Sequence, residues 1–304
     1  MTEPERPERP PKKVLLATDL SARCDRALDR AAALAAGWQA ELIAVHALER
    51  ADDLDAAELE RRLPSWRRQP DIGPAVADQL RRDMMAAAPN VTAIVEKAEP
   101  TALILRVAEA QGCGLIVTGL ARDETLGRFG LGTTVDRLLR RSRVPLLIVK
   151  QRARAPYGRI LVATDFSECS RCALQVAAAF FPDQRLGVFH AFDSSMAGMV
   201  GDLARLEDDY REAAARDYAS FLAAAGIPEA RRRDFQLLVE RGRPSTLLHR
   251  HVRERGTDLV VLGTHGRSAL FDIFIGSTAK DILASLPCDV LVVREPRAAV
   301  EAGP

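Results

Sequence analysis

Three short runs in the second half of the chain, 159–164, 259–262 and 290–293, are apolar at nearly every position. Strands of that kind are buried on both faces, as in a parallel sheet covered by helices. Between them the spacing changes. Cys169–Phe181 is alanine-rich with apolar residues at helical intervals, which predicts a helix. Leu186–Ala191 predicts the next strand, and Asp202–Ala225 a long amphipathic helix with Leu203, Leu206, Tyr210, Ala214, Tyr218 and Leu222 on one face, closed by Gly226 and Pro228. Phe235–Glu240 predicts a third strand. Pro244–Arg255 predicts a helix with proline at its start and Gly256 past its end. Alternating strands and helices with right-handed crossovers give a doubly wound α/β domain. Open sheets of this class bind ligands at the carboxyl ends of their strands. Asp165, Gly263 and the loop at Gly276 all fall at such ends.

The same plan occurs twice. Lys13-Val-Leu-Leu-Ala-Thr-Asp-Leu-Ser21 returns as Arg159-Ile-Leu-Val-Ala-Thr-Asp-Phe-Ser167. Ala44-Val-His-Ala47 returns as Val188-Phe-His-Ala191, Leu115–Gly119 as Leu259–Gly263, and Gly132-Thr133 as Gly276-Ser277, each 144 residues later. A constant offset over most of each half marks a duplication. The expected division is a charged, proline-rich, disordered tail (1–11), a first domain (12–150), a linker rich in Arg, Ala and Pro (151–157), a second domain (158–296) and a short tail (297–304).

Composition narrows the function classes. The 304 residues suffice for two domains with their own cores, and 47% hydrophobic with 28% charged residues describes a globular protein. A formal net charge of +1 gives no polyanion-binding surface, so nucleic acid is not an expected partner. No signal peptide and no apolar stretch near the ~18 residues of a membrane span is present, so no membrane association is expected. Cysteines 24, 113, 169, 172 and 288 do not make a disulfide framework, which places the protein in a reducing cytoplasm.

The most informative stretch is Gly263-Thr-His-Gly266, nine residues, then Gly276-Ser277-Thr278. Glycine lets the backbone approach a phosphate closely, and the N–H groups opening the next helix face an anion with the helix dipole behind them. The first half departs from the pattern: Gly119-Leu-Ala-Arg122 has arginine where the second glycine belongs, although Gly132-Thr133 keeps the spacing.

With these motifs the chain resembles a tandem universal stress protein over roughly 12–150 and 158–294. The resemblance implies two doubly wound α/β domains, each a five-stranded parallel sheet in the order 3-2-1-4-5 with helices on both faces. It also implies pairing of the two halves within the chain through their last strands, with a homodimer and an unidentified protein partner left open. It further implies an adenine nucleotide, ATP, bound with Mg2+ or Mn2+ bridging the phosphate oxygens. Ala163, Thr164, Asp165 and Ala191 would lie on the adenine side. Leu262, Gly263, His265 and Gly266 would line the ribose and inner phosphates. Gly276, Ser277 and Thr278 would hold the terminal phosphates. A second ligand site would draw on Asp19, Ala47, Gly119, Arg122, Gly132 and Thr133, with Arg122 obstructing phosphates or offering its guanidinium to an acidic group.

Plainer roles stand beside these. Asp19 and Asp165 suit helix capping as well as ligand contact. His46 and His190 suit structural hydrogen bonding at strand ends. Cys169 and Cys172 have a Cys-x-x-Cys spacing, but Arg23 and Arg26 replace them in the first copy, and semi-buried thiols are the simpler reading. Arg61–Arg68 holds Trp66 among basic residues, yet acids precede it, which favours a solvated segment. Three functions follow from these residues: a nucleotide-binding stress sensor or regulator, a slow ATP hydrolase, and an interaction module with another ligand or none. No Gly-x4-Gly-Lys-Ser/Thr run occurs.

Overall fold

The computed structural model describes residues 8–21, 24–48, 73–85, 91–120, 131–192, 203–266 and 275–295. Parts of both expected tails, the basic stretch around Trp66 and Arg122 lie outside these residues. The first half runs β1 (Lys13–Ala17), α1 (Asp25–Trp38), β2 (Glu41–Leu48), α2 (Gly73–Met85), β3 (Val91–Lys97), α3 (Pro100–Gln111), β4 (Leu115–Gly119), α4 (Thr133–Arg141) and β5 (Leu146–Val149). The second runs β6 (Ile160–Thr164), α5 (Glu168–Phe180), β7 (Leu186–Phe192), α6 (Leu203–Ala224), α7 (Glu229–Arg232), β8 (Phe235–Arg241), α8 (Pro244–Arg255), β9 (Leu259–Gly263), α9 (Ser277–Ser285) and β10 (Asp289–Val293).

Each half has the order 3-2-1-4-5, and the whole is one sheet, β3-β2-β1-β4-β5-β10-β9-β6-β7-β8. Pairing is parallel within each half. The halves join where β5 meets β10 antiparallel, with Ile148 opposite Val290 and Leu146 opposite Val292. The halves therefore pair through their last strands. Successive residues of a strand point to opposite faces, so Val14 and Leu16 enter one core with α1, α2, α5 and α6, while Leu15 and Ala17 enter the other with α3, α4, α8 and α9. This is why the strands are apolar throughout.

Local signals act as expected at α3 and α8. Each starts on a proline and ends at a left-handed glycine, Gly112 or Gly256, and Glu99 caps α3 by accepting from Ala102 N at 2.7 Å. The long helix α6 differs in its face. Ala214 and Leu222 are buried, as is Phe221, but Tyr210 remains 39% exposed and stacks on Phe192. A strand-end aromatic draws it outward, which helical periodicity cannot register.

The seam between the halves is closed by polar groups. Asp289 is fully buried. Its Oδ1 accepts from the backbone N of Lys150 (2.8 Å) and Gln151 (2.9 Å), and its Oδ2 from the Tyr157 hydroxyl (2.6 Å). Arg30 from α1 lies 3.4 Å from the same carboxylate, stacks over the Tyr157 ring and donates to Ala155 O. The linker is thus tied down by both halves. Burial raises the Asp289 carboxyl and pushes the Tyr157 phenol well up. Hydrogen bonds and Arg30 act on Asp289 in the opposite direction.

Candidate functional site

At the carboxyl ends of β6, β7 and β9 lies a cleft of about 660 Å³, within the range of small-molecule sites of roughly 300–1,000 Å³. Ala163, Thr164, Asp165, Ala191, Leu262, Gly263, His265, Gly266, Gly276, Ser277 and Thr278 all line it. The structure thus brings together in one cleft every second-half residue that the resemblance assigned to a nucleotide, while Cys169 and Cys172 do not line it.

The turn after β6 is set by its side chains. Thr164 Oγ1 accepts from Phe166 N (2.9 Å) and Asp165 Oδ1 from Ser167 N (3.1 Å), while Phe166 takes a left-handed φ of 62°. The first half repeats this turn: Thr18 and Asp19 accept from Leu20 N and Ser21 N, and Leu20 has φ 60°. Non-glycine residues rarely adopt that conformation. Neither aspartate is the N-cap residue. Ser167 caps α5 and Cys24 precedes α1, so each aspartate braces the turn instead. At Asp19, burial raises the carboxyl, but the hydrogen bonds from Cys24 and Ser21 outweigh it and hold it below its ordinary value. The histidines are structural: His190 Nδ1 meets Thr164 O at 2.9 Å, and His46 Nδ1 meets Thr18 O at 3.0 Å.

The glycines divide by what surrounds them. A Cβ on Gly263 would stand 2.8 Å from Cys169 Sγ and 2.9 Å from its carbonyl carbon, so this glycine admits the start of α5 against β9. A Cβ on Gly266 would meet Asp165 Oδ2 at 2.6 Å. Gly276 is different. It has φ −56°, and among the described residues a Cβ would find only Thr264 O, at 3.5 Å. Neither backbone strain nor packing against the described residues requires glycine there; what it preserves is space between these residues and the start of α9. No side chain caps that helix start, and the first N–H groups of a helix have no partner within it. Such an arrangement could receive an anion at the positive end of the helix dipole. Among the described lining residues there is no lysine or arginine, so a phosphate chain held here would rely on backbone N–H groups, hydroxyls and a bridging cation. The donors present, Ser277, Thr278 and the α9 N–H groups, fit that load.

Thr264 is the residue that motif reading overlooked. It is buried; its N donates to Val293 O (3.0 Å), its O accepts from Gly276 N (3.0 Å), and its Oγ1 meets His265 Nδ1 at 2.8 Å. One threonine therefore joins β10, the helix start and the loop histidine. Its first-half counterpart at the same offset is Leu120, also buried, which offers no hydroxyl. Comparison of the two copies at this position was the available signal.

In the first half, Asp19, Ala47 and Gly119 stand at the ends of β1, β2 and β4, and Gly132-Thr133 opens α4 without a side-chain cap. Among the described residues a Cβ on Gly132 would meet nothing within 4 Å. The Cys-x-x-Cys pair is not oxidised, and at Cys172 the thiol is not of the activated kind. Cys169 and Cys172 are free thiols, and burial pushes Cys172 up to about 11. Among the described residues no helix is long and apolar enough to cross a membrane, and no three His, Cys, Asp or Glu side chains cluster to hold a metal ion.

Fold and cleft define a doubly wound α/β protein with a glycine-lined cleft at its strand ends. The sequence profile of the Universal stress protein family matches residues 10–150 and 156–294, and the chain belongs to that family. One relative, the universal stress protein in QAH/OAS sulfhydrylase 3′ region of Thermus aquaticus, is 34% identical over 142 residues, covering 45% of this chain and 99% of its own. The universal stress protein YxiE of Bacillus subtilis is 26% identical over 147 residues, covering 45% and 99%. A universal stress protein structure from Archaeoglobus fulgidus matches the fold over 93% of this chain and 98% of its own, with TM-score 0.66 and 19% identity. A protein of unknown function from Pseudomonas aeruginosa matches over 93% and 92%, with TM-score 0.59 and 23% identity.

Proposed function

We propose that the second half binds ATP, with Mg2+ or Mn2+ bridging its phosphates, and that the protein acts in the cytoplasm as a nucleotide-dependent stress sensor or regulator. The observation that carries this reading is Gly276: among the described residues no packing or strain demands glycine and no side chain caps the helix start that follows. Ser277 and Thr278 would hold the terminal phosphates, Gly263 and Gly266 would let the backbone approach the inner ones, and Ala163, Asp165 and Ala191 would flank the base. The first half, with Leu120 in place of Thr264 and Arg122 in place of Gly266, would not bind ATP in this way. The expected stoichiometry is one nucleotide per chain. Titration calorimetry of the full chain with ATP and magnesium tests it; absence of binding overturns the proposal. Mass spectrometry of gently purified protein would identify a retained nucleotide directly.

A further inference from the structure

The second half has another hollow, at the opposite ends of its strands, where β6, β7 and β8 begin and the last turn of α8 lies over them. Its volume is about 440 Å³. Leu161, Phe235 and Leu238 line it, and Arg159, Arg185, Arg233 and Arg255 contribute to its wall.

The copies differ in two ways at this end of the sheet. First, Gly187 on β7 stands where β2 has Ile43, whose side chain is fully buried in the first half. A Cβ on Gly187 would meet Leu161 Cδ2 at 2.4 Å, so the missing side chain is matched by Leu161 leaning into its place. Second, the charges change. In the first half Lys13 pairs with Glu41 at 3.5 Å across the paired starts of β1 and β2. The corresponding residues of the second half are Arg159 and Arg185, which immediately precede the paired residues Ile160 and Leu186. An attractive pair has become two cations on neighbouring strands, an unfavourable arrangement by itself.

Asp258 stands beside Arg159, but its carboxylate accepts from the backbone N of Gly158 (2.9 Å) and Arg159 (3.2 Å) and not from the guanidinium. The lining carboxylate Asp234 is paired with Arg231 at 3.0 Å, and among the described residues none of the four arginines forms an ion pair. Arg159 Nη1 donates to Arg255 O at 2.7 Å, which fixes that guanidinium beside α8. The chain is rich in arginine, but composition alone does not place glycine for isoleucine beneath a reversed charge.

We propose that this hollow is a second ligand site, separate from the glycine-loop cleft, for a small organic anion. Its apolar body rests on Leu161, Phe235 and Leu238, and its carboxylate, sulfonate or phosphate group meets the arginines, whose planar donors suit such oxyanions.

Fluorescence titration of the full chain with anilinonaphthalene sulfonate, in saturating ATP and magnesium, provides the test. Saturable binding at one site is expected, weakened about tenfold or more in Arg185→Glu and in Gly187→Ile, and unchanged in Gly276→Leu. Arg185→Glu restores the charge pairing at an exposed position and so keeps the test decisive should Gly187→Ile fail to fold. Absence of saturable binding, or unchanged binding in either folded variant, overturns the proposal. So does loss confined to Gly276→Leu, which assigns the probe to the other cleft. Because the variants lie at opposite strand ends, failure here is distinguishable from failure of ATP binding.

Discussion

Lys150 and Leu286 are joined across the two halves: the buried ammonium following β5 donates to Leu286 O at 2.8 Å, and also to Leu283 O at 2.5 Å, at the end of α9. The relation is reciprocal. Arg294, which follows β10, donates to Arg140 O at the end of α4. A cation at a helix C-terminus satisfies its last carbonyls and complements its dipole. Each glycine-started helix is therefore held at its far end by a cation from the other half.

Lys150 gives this tie a pH signature. Burial lowers its ammonium from 10.5 to about 8, against the opposing pull of Cys288 and Asp289. Between those values the unfolded chain binds the proton more strongly, so the contribution of Lys150 to stability rises with pH there and is least below about 8. A shift of this size corresponds to about 3 kcal/mol at most. Denaturant unfolding of wild type and Lys150→Met from pH 7 to 10 should show their difference moving in favour of wild type by about 1–3 kcal/mol. A difference that stays flat contradicts the assignment.

Gly276→Leu should separate binding from folding. The side chain enters open space at an ordinary φ, so stability should change by about 1 kcal/mol or less, while calorimetry should record ATP affinity falling by about a hundredfold, or about 2.7 kcal/mol. Retained affinity would remove the helix start from the phosphate site.

Gly263→Ala and Gly266→Ala should differ in kind. The first drives a methyl group into the backbone of Cys169, which cannot swing aside, and should cost about 1–3 kcal/mol in urea unfolding. Among the described residues the second meets only the end of the Asp165 side chain. It should shift ligand affinity more than stability, and an equal loss of stability in both would refute the distinction.

The thiols should be slow. Burial pushes Cys24, Cys113 and Cys172 up to about 11 and Cys288 to about 12. Ellman's reagent at neutral pH should label the native protein slowly and all five cysteines in denaturant. Rapid native labelling of Cys172 would revive a redox role for the Cys169–Cys172 pair.

Strand runs, the repeat and the glycine spacing made the sheet and the second cleft legible in the sequence, because each is a local pattern or a comparison at fixed offset. The braced turns at Leu20 and Phe166 were not, since positive φ at a bulky residue has no compositional mark. The seam was hidden for another reason. Asp289 finds Lys150 from 139 residues away, and an aspartate opening a strand reads as exposed until the partner half covers it. Thr264 looked like filler between two glycines, and only the leucine in its counterpart shows that the hydroxyl is specific to the second half.

The antiparallel meeting of β5 and β10 has an evolutionary consequence. Two identical chains joined along such an edge must carry identical sites, and any substitution alters both. Here the partners are encoded in tandem, so each can drift independently while the join is kept. Leu120 in the place of Thr264 and Gly187 in the place of Ile43 record that freedom: each half can change the ends of its strands without imposing the change on its twin.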